Sequence, residues 1–372
     1  MRENVTYYQE DNYAQLVRTI DLKNNFSNNE FVYVDKGAYD FLWRVQLKEP
    51  NIVLPNIGAN IGEKYYVRPQ NLPKDKNVLG PNAILLRSES NDTHFVYFRL
   101  STSSYDNEIK KLVGASGQPK FNKTDLKKVK VFMPTISEQK KISRFLALID
   151  ERIATQNKII DKLQTLIKGL NDSLYELYGN GITTSFAELG HSYSGLSGKT
   201  ANDFGTGKPF ITYLNVYSNN IVNENDYQYV RINEGEKQNV VKYGDVLFTL
   251  SSETPEEVGV GSVFLGKDEV YLNSFCFGIH IENEELVYSP YLSYYVSSTP
   301  FRKFVYPFAQ GSTRFNLCKA DFEKASIKLP LLENQKHIYA ILNSITEKIE
   351  TEEMIFEKYL IQKQYLLRQM FI

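Results

Sequence analysis

The sequence predicts an α+β protein built from two tandem, mainly β units separated by two long helices that pair antiparallel as a coiled coil, the whole forming a pseudo-twofold repeat. Three observations lead there. Residues 309–338 (AQGSTRFNLCKADFEKASIKLPLLENQKHI) replay residues 115–142 (ASGQPKFNKTDLKKVKVFMPTISEQKKI), with Pro134 and Pro330, and Ile142 and Ile338, each 196 residues apart. Each copy runs into an apolar seam with alternating four- and three-residue spacing. The region before each seam alternates short β-branched and aromatic runs with Asn, Gly, Asp and Pro turns. The match extends upstream, where residues 50–54 align with 244–248 and residues 16–20 with 210–214. A period this long is a duplicated domain, since solenoid units run roughly 20 to 50 residues.

The boundaries read as 1–136 for the first globular part, 137–179 for the first helix, 180–332 for the second globular part and 333–372 for the second helix. Expected strands in the first part include Phe31-Val32-Tyr33-Val34, Ile52-Val53-Leu54, Lys64-Tyr65-Tyr66-Val67 and Ala83-Ile84-Leu85-Leu86. In the second they include Tyr227-Gln228-Tyr229-Val230, Asp245-Val246-Leu247-Phe248 and Gly261-Ser262-Val263-Phe264-Leu265. One amphipathic helix is expected per part, near His94 to Leu100 and near Pro290 to Ser298, where proline suits the first helical turn.

The first seam is Ile142, Leu146, Ile149, Ile153, Gln156, Ile160, Leu163, Ile167, Leu170 and Leu174. The second is Ile338, Leu342, Ile345, Ile349, Glu352, Phe356, Tyr359, Lys363, Leu366 and Met370. Gln156 and Glu352 interrupt the two seams at matching mid-helix places, so antiparallel pairing would bring them face to face. A buried polar pair there costs stability and fixes register. A helix over about 137–178 is roughly 60 Å long at ~1.5 Å per residue, a rigid spacer.

Composition narrows the function classes. The chain lacks a long apolar run and a basic-then-apolar leader, so an unexported, cytoplasmic protein without a membrane span is expected. Cys276 and Cys318 have no CxxC spacing, and His94, His191, His280 and His337 are scattered, so neither a disulfide framework, a metal site nor any cofactor is indicated. The net charge is only −1, but distribution matters more than the sum. Residues 110–144 carry Lys110, Lys111, Lys120, Lys123, Lys127, Lys128, Lys130, Lys140, Lys141 and Arg144 against Asp125 and Glu138, and the second copy repeats a milder basic run. Such a run is either a solvated face or a nucleic-acid footprint.

Pro134, Glu138, Gln139, Lys140, Ile142, Ile149, Asp150 and Ile153 form a helix-opening pattern, and Pro330, Gln335, Lys336, Ile338, Ile345 and Ile349 repeat it, with Asn334 and Thr346 in place of Glu and Asp. Duplicated in this way, the pattern resembles the specificity subunit of type I restriction-modification systems over nearly the whole chain. The resemblance implies that each globular part is a target-recognition domain reading one half of a bipartite double-stranded DNA target. It also implies that the helices set the unread gap and dock two methyltransferase subunits, that a restriction-translocase subunit joins, and that the chain is non-catalytic.

DNA contact needs Lys, Arg and hydroxyl or amide groups on loops. The first candidates are the duplicated loops, with Gln118, Lys120 and Asn122 in one copy and Ser312, Arg314 and Asn316 in the other; a plain turn anchored by its Phe fits the same residues. A second candidate set is Lys199 and Thr200, in the loop 194–200, with Ser252 after the central strand. Gly198-Lys199-Thr200 ends like a phosphate-binding loop, but Tyr193 stands where that motif needs glycine, so nucleotide hydrolysis is not expected. On the spacer, the candidate residues are Ile142, Ile149, Gln156, Leu163, Ile338, Ile345, Glu352 and Tyr359.

The second globular part opens at Ser185-Phe186-Ala187-Glu188-Leu189-Gly190, whereas its match in the first would fall before residue 1, so about ten to fifteen residues of the first part are expected to be lacking. Trimming, a late start or a degenerate allele each fit. Two rival readings remain, a coiled-coil scaffold indifferent to nucleic acid, and an enzyme built on Gly198-Lys199-Thr200 or on scattered carboxylates.

Overall fold

The computed structural model describes residues 5–27, 30–58, 60–113 and 120–371. It resolves into two compact units, Met1–Asn157 with Ile355–Ile372, and Lys158–Met354. Each unit therefore holds one globular part, a piece of the first long helix (Ile136–Tyr178) and a piece of the second (Leu332–Met370).

In the first unit, the strands Tyr65–Val67, Asn51–Pro55 and Ala83–Leu86 form an antiparallel sheet with Asn51–Pro55 in the middle. The middle strand is buried along its whole length, which suits a β-branched run covered on both faces. A second sheet places Ala14–Val17 between antiparallel Val32–Val34 and parallel Asn77–Leu79. The helix Thr93–Leu100 is capped by Asp92, whose carboxylate accepts from the Phe95 N–H at 2.7 Å. Its Phe95 and Phe98 pack with Leu146 and Ile149 of the first long helix and with Phe371.

The second unit has the larger sheets. Gly261–Val263, Val246–Thr249, Cys276–Ile281 and Gly190–Ser194 lie in that order, antiparallel. Another sheet orders Gln228–Val230, Phe204–Ile211, Val270–Leu272 and Val240–Val241. The core is aromatic: Phe186 lies 5.3 Å from Phe248 and 5.2 Å from Phe322, centroid to centroid, within the favourable range for ring pairs. Ile182–Thr184 pairs with Ile327–Leu329.

Several expectations change. Each globular part carries more helices than the one expected: Ser103–Leu112 follows Thr93–Leu100, Thr299–Val305 follows Ser289–Tyr295, and short helices such as Lys36–Phe41 and Tyr213–Ser218 add to them. Proline near the start of Thr299–Val305 and a Ser298 cap account for that second helix. The central sheet of the first unit has three strands among the described residues, where the second unit adds Gly190–Ser194 as a fourth.

The long helices bury their seams. Every seam position read from the sequence is buried or half-buried, including Ile142, Ile149, Leu163, Ile338, Ile345 and Tyr359. Gln156 and Glu352 are each 7% exposed. In the first unit the two helix pieces run antiparallel, with Asp150 paired to Lys363 at 2.6 Å and the Arg152 guanidinium donating to the Tyr359 hydroxyl at 3.3 Å.

The duplicated helix-opening pattern has a structural explanation. Gln139 is buried; its carbonyl oxygen accepts from the Asp92 N–H at 2.9 Å, and its amide donates to the Pro134 carbonyl at 2.8 Å. Gln335 does the same 196 residues later, accepting from the Tyr288 N–H at 2.9 Å and donating to the Pro330 carbonyl at 2.8 Å. Asp92 and Tyr288 are the N-caps of matching helices, so in each copy one glutamine ties the start of a long helix to the start of a domain helix. Glu138 closes a reciprocal cap with Thr135, accepting from both its N–H and its hydroxyl. Asn334 cannot repeat that carboxylate cap.

Candidate nucleic-acid interface

The duplicated loop of the second unit is the turn of a hairpin. Ala309–Gln310 pairs with Phe315–Leu317, and Ser251–Ser252 adds to the same ladder, with Ser251 opposite Asn316 and Ser252 opposite Phe315. The turn needs glycine at position 311, where φ is +147° and a Cβ would collide with the Arg314 carbonyl oxygen. Ser312, Thr313, Arg314 and Asn316 are consequently held out in solvent.

This geometry brings Ser312, Arg314, Asn316 and Ser252 together. The Arg314 guanidinium donates to Ser251 Oγ at 3.2 Å and lies 5.8 Å from the Phe275 ring centroid. Beside it is a cleft of about 770 Å³ lined in part by Leu214, Ser252, Glu253, Glu257, Phe275 and Arg314. Its apolar walls are unusually bare, with Leu214 68% and Phe275 54% exposed. Glu257 accepts from the Tyr217 hydroxyl at 2.7 Å and from Ser252 Oγ at 2.8 Å, bonds that hold its carboxyl below the usual range. Tyr213 braces the strand by donating to the Ser251 carbonyl at 2.8 Å.

In the first unit the corresponding segment is joined to the end of the central strand: Lys120 bridges Ile57, and the Phe121 N–H donates to the Asn56 carbonyl at 3.1 Å. Lys120 is exposed. Asn122 is also exposed, but its side chain accepts from the Asp125 N–H at 2.9 Å and caps the short helix Lys123–Leu126. Gln118 lies outside the described residues. The cations from Lys110 to Arg144 are all exposed, and of these Lys111 and Lys128 have ion pairs with carboxylates three residues back.

Lys199 and Thr200 occupy a separate loop, where both side chains have partners within the second unit. The Lys199 ammonium donates to the Arg231 carbonyl and to Glu236, both at 2.6 Å, and its side chain is 6% exposed. Burying one charge against another fixes the loop and leaves no open ammonium for a phosphate. Bonds from Lys199, then from the Asn233 N–H and Gln238, pull the Glu236 carboxyl down to about 2. Thr200 donates from its N–H and hydroxyl to Asp203, opening a three-residue helical turn. The loop that holds Gly198 runs from the strand Gly190–Ser194 into that three-residue turn, which leads directly into the strand Phe204–Ile211.

Sequence reasoning missed Leu214, Glu257 and Phe275. Phe275 had a usable signal, a large apolar residue following the polar turn residues Asn273 and Ser274, whereas Leu214 had none, since it continues an apolar and aromatic run into the helix Tyr213–Ser218. Glu257 had none, because its role depends on the fold bringing Tyr217 to it.

Among the described residues no helix is long and apolar enough to cross a membrane, and no cluster of three His, Cys, Asp or Glu side chains is placed to hold a metal ion.

Comparison with known proteins gives a consistent result. A family profile described as "Type I restriction modification DNA specificity domain" matches residues 23–165 and again 195–358. A putative type I restriction enzyme MjaX specificity subunit from Methanocaldococcus jannaschii is 27% identical over 76% of this chain and 68% of its own length. The type I restriction enzyme EcoKI specificity subunit of Escherichia coli K12 is 24% identical over 70% of this chain, and the match spans 59% of that protein. Among solved structures, the S subunit of the type I restriction-modification system from M. genitalium superposes with a TM-score of 0.53 at 15% identity, covering 87% of this chain and 83% of that one. A chain from a study of complex assembly and conformational transition in the type I R-M system gives 0.59 at 15% identity, covering 100% and 92%.

Proposed function

Because the chain belongs to the type I restriction-modification DNA specificity family, we propose that each globular part reads one half of a bipartite double-stranded DNA target. In this reading the long helices set the unread gap and dock two methyltransferase subunits, a restriction-translocase subunit joins the assembly, and the chain supplies specificity without catalysis in the cytoplasm. Two reading surfaces on a rigid spacer suit DNA because two half-sites must present compatible faces of the duplex to be read together.

The observation that carries the proposal is the hairpin in the second unit, which holds Arg314, Ser312 and Asn316 out in solvent beside an open cleft. Its counterpart in the first unit presents exposed Lys120 within a run of exposed cations. Exposed lysines position a protein on phosphates, while forked and amide groups reach base edges.

The test is duplex binding by the assembled complex as a function of salt. Affinity should fall by orders of magnitude between 50 and 200 mM salt, because each neutralised phosphate releases counterions. Binding that is absent even at low salt would favour the coiled-coil scaffold. ATP or DNA turnover by the pure chain would favour the enzyme.

A further inference from the structure

Resting on the DNA-reading role just proposed, we infer that the cleft of the second unit recognises the major-groove edge of one guanine–cytosine base pair, with Arg314 reading guanine and Glu253 reading cytosine.

The cleft is chemically wrong for a phosphate. Among the described residues Arg314 is the one cation lining it, against the carboxylates of Glu253 and Glu257. A phosphate drawn to that arginine would meet two negative charges at close range, whereas a base edge carries both acceptors and donors. In the major groove guanine offers its N7 and O6 as acceptors, and cytosine offers its N4 amino group as a donor. An arginine fork and a carboxylate match that pattern.

The ladder places the two groups as a pair. Ser251 lies opposite Asn316 and Ser252 opposite Phe315, so the next residues on the two strands are Glu253 and Arg314. Both are exposed at the open end of the ladder. Glu257 is already occupied by Tyr217 and Ser252, which leaves Glu253 as the carboxylate facing solvent.

Arg314 is also preorganised. Ser251 Oγ takes one guanidinium nitrogen, and the Phe275 ring packs against the guanidinium. Fixing the fork in advance reduces the ordering cost of a two-bond contact. Leu214 and Phe275 wall the cleft with exposed apolar surface, against which the flat face of a base can rest. The first unit lacks this chemistry: its sequence carries Gly58, Ala59 and Lys120 where the second has Ser252, Glu253 and Arg314. Lysine is a point charge without a fork.

The test maps methylated motifs produced in cells by the full chain with its methyltransferase subunits, for wild type, Arg314→Lys and Glu253→Ala. The wild-type motif should contain a G·C pair in one half-site. Arg314→Lys should lower discrimination at that pair roughly ten- to a hundredfold while the rest of the motif holds. Glu253→Ala should relax the same pair, and because its side chain projects from the end of the ladder it keeps the proposal testable if Arg314→Lys fails to fold. Relaxation confined to one position cannot come from unfolding. An unchanged motif with Arg314→Lys, or relaxation at different positions by the two variants, would overturn the assignment. A wild-type complex that methylates without any two-part motif would overturn the reading beneath it.

Discussion

At the scale of single residues, charge partners decide which cations are available. Lys199 and Arg314 are both basic residues in Gly- and Ser-containing loops, yet one is spent and one is open. Lys199 is locked on Glu236, so Lys199→Ala should lower the melting temperature without changing the salt slope of DNA binding, whereas a slope reduced by about one would return Lys199 to the interface. The same pair predicts acid behaviour. The Glu236 carboxyl is held down to about 2, below an ordinary glutamate, so its contribution is complete above about pH 4.5 and lost as pH falls through about 2. Acid unfolding of Glu236→Gln should therefore be less pH-dependent over that window than that of wild type, and superimposable profiles would contradict the assignment. The partner of Lys199 could not be read locally: Glu236 is 37 residues away and arrives only because Gln228–Val230 pairs with Phe204–Ile211. The cap made by Asn122 was legible in principle, since Asn-Lys-Thr-Asp has N-cap spacing, but the residue's amide also suited a DNA contact.

At the scale of elements, the duplication shows which differences are compensated. In the first unit Asp150 pairs with Lys363; 196 residues from each stand Thr346 and Ile167, and in the second unit Thr346 instead hydrogen-bonds the Tyr294 hydroxyl at 2.8 Å. The departure from the repeat at Thr346 is thus a joint change with a seam position, which the sequence recorded as two separate irregularities. Asp150→Thr alone should cost about 1 kcal/mol by stranding a partly covered lysine, and adding Lys363→Ile should recover it; additive losses in a double-mutant cycle would refute the coupling. The buried glutamines behave differently. Gln139→Ala or Gln335→Ala leaves an N-cap N–H and a proline carbonyl unmet, so each should cost about 1–3 kcal/mol in thermal unfolding. A loss under ~0.5 kcal/mol would show that the tie between helices is dispensable. Gln156→Leu with Glu352→Leu should raise the melting temperature, because both polar side chains are 7% exposed at seam positions whose nearest seam neighbours, Ile153 and Ile160, and Ile349 and Phe356, are apolar.

At the scale of the whole molecule, the parts legible in sequence were those with a period. The seams, the limits of the long helices, and strands such as Asn51–Pro55 and Ala83–Leu86 follow from spacing and composition alone. What stayed hidden depends on contacts between segments distant in sequence, such as the Phe186 core and the cleft between Leu214 and Phe275. The duplicated loop was visible as a repeat, but only the ladder shows that Arg314 and Glu253 share one end of it. The two copies also diverge at that end, with Lys120 and Arg314 at matching positions, so the two halves of the target should be read by different chemistry. The central claim is that this chain reads two half-sites at a fixed separation. Its most direct test is to co-express the wild-type chain with its methyltransferase subunits and map methylated bases across a host genome. A two-part motif with an unread gap of constant length is the predicted result, and methylation at a single undivided motif by the assembled complex would contradict the account.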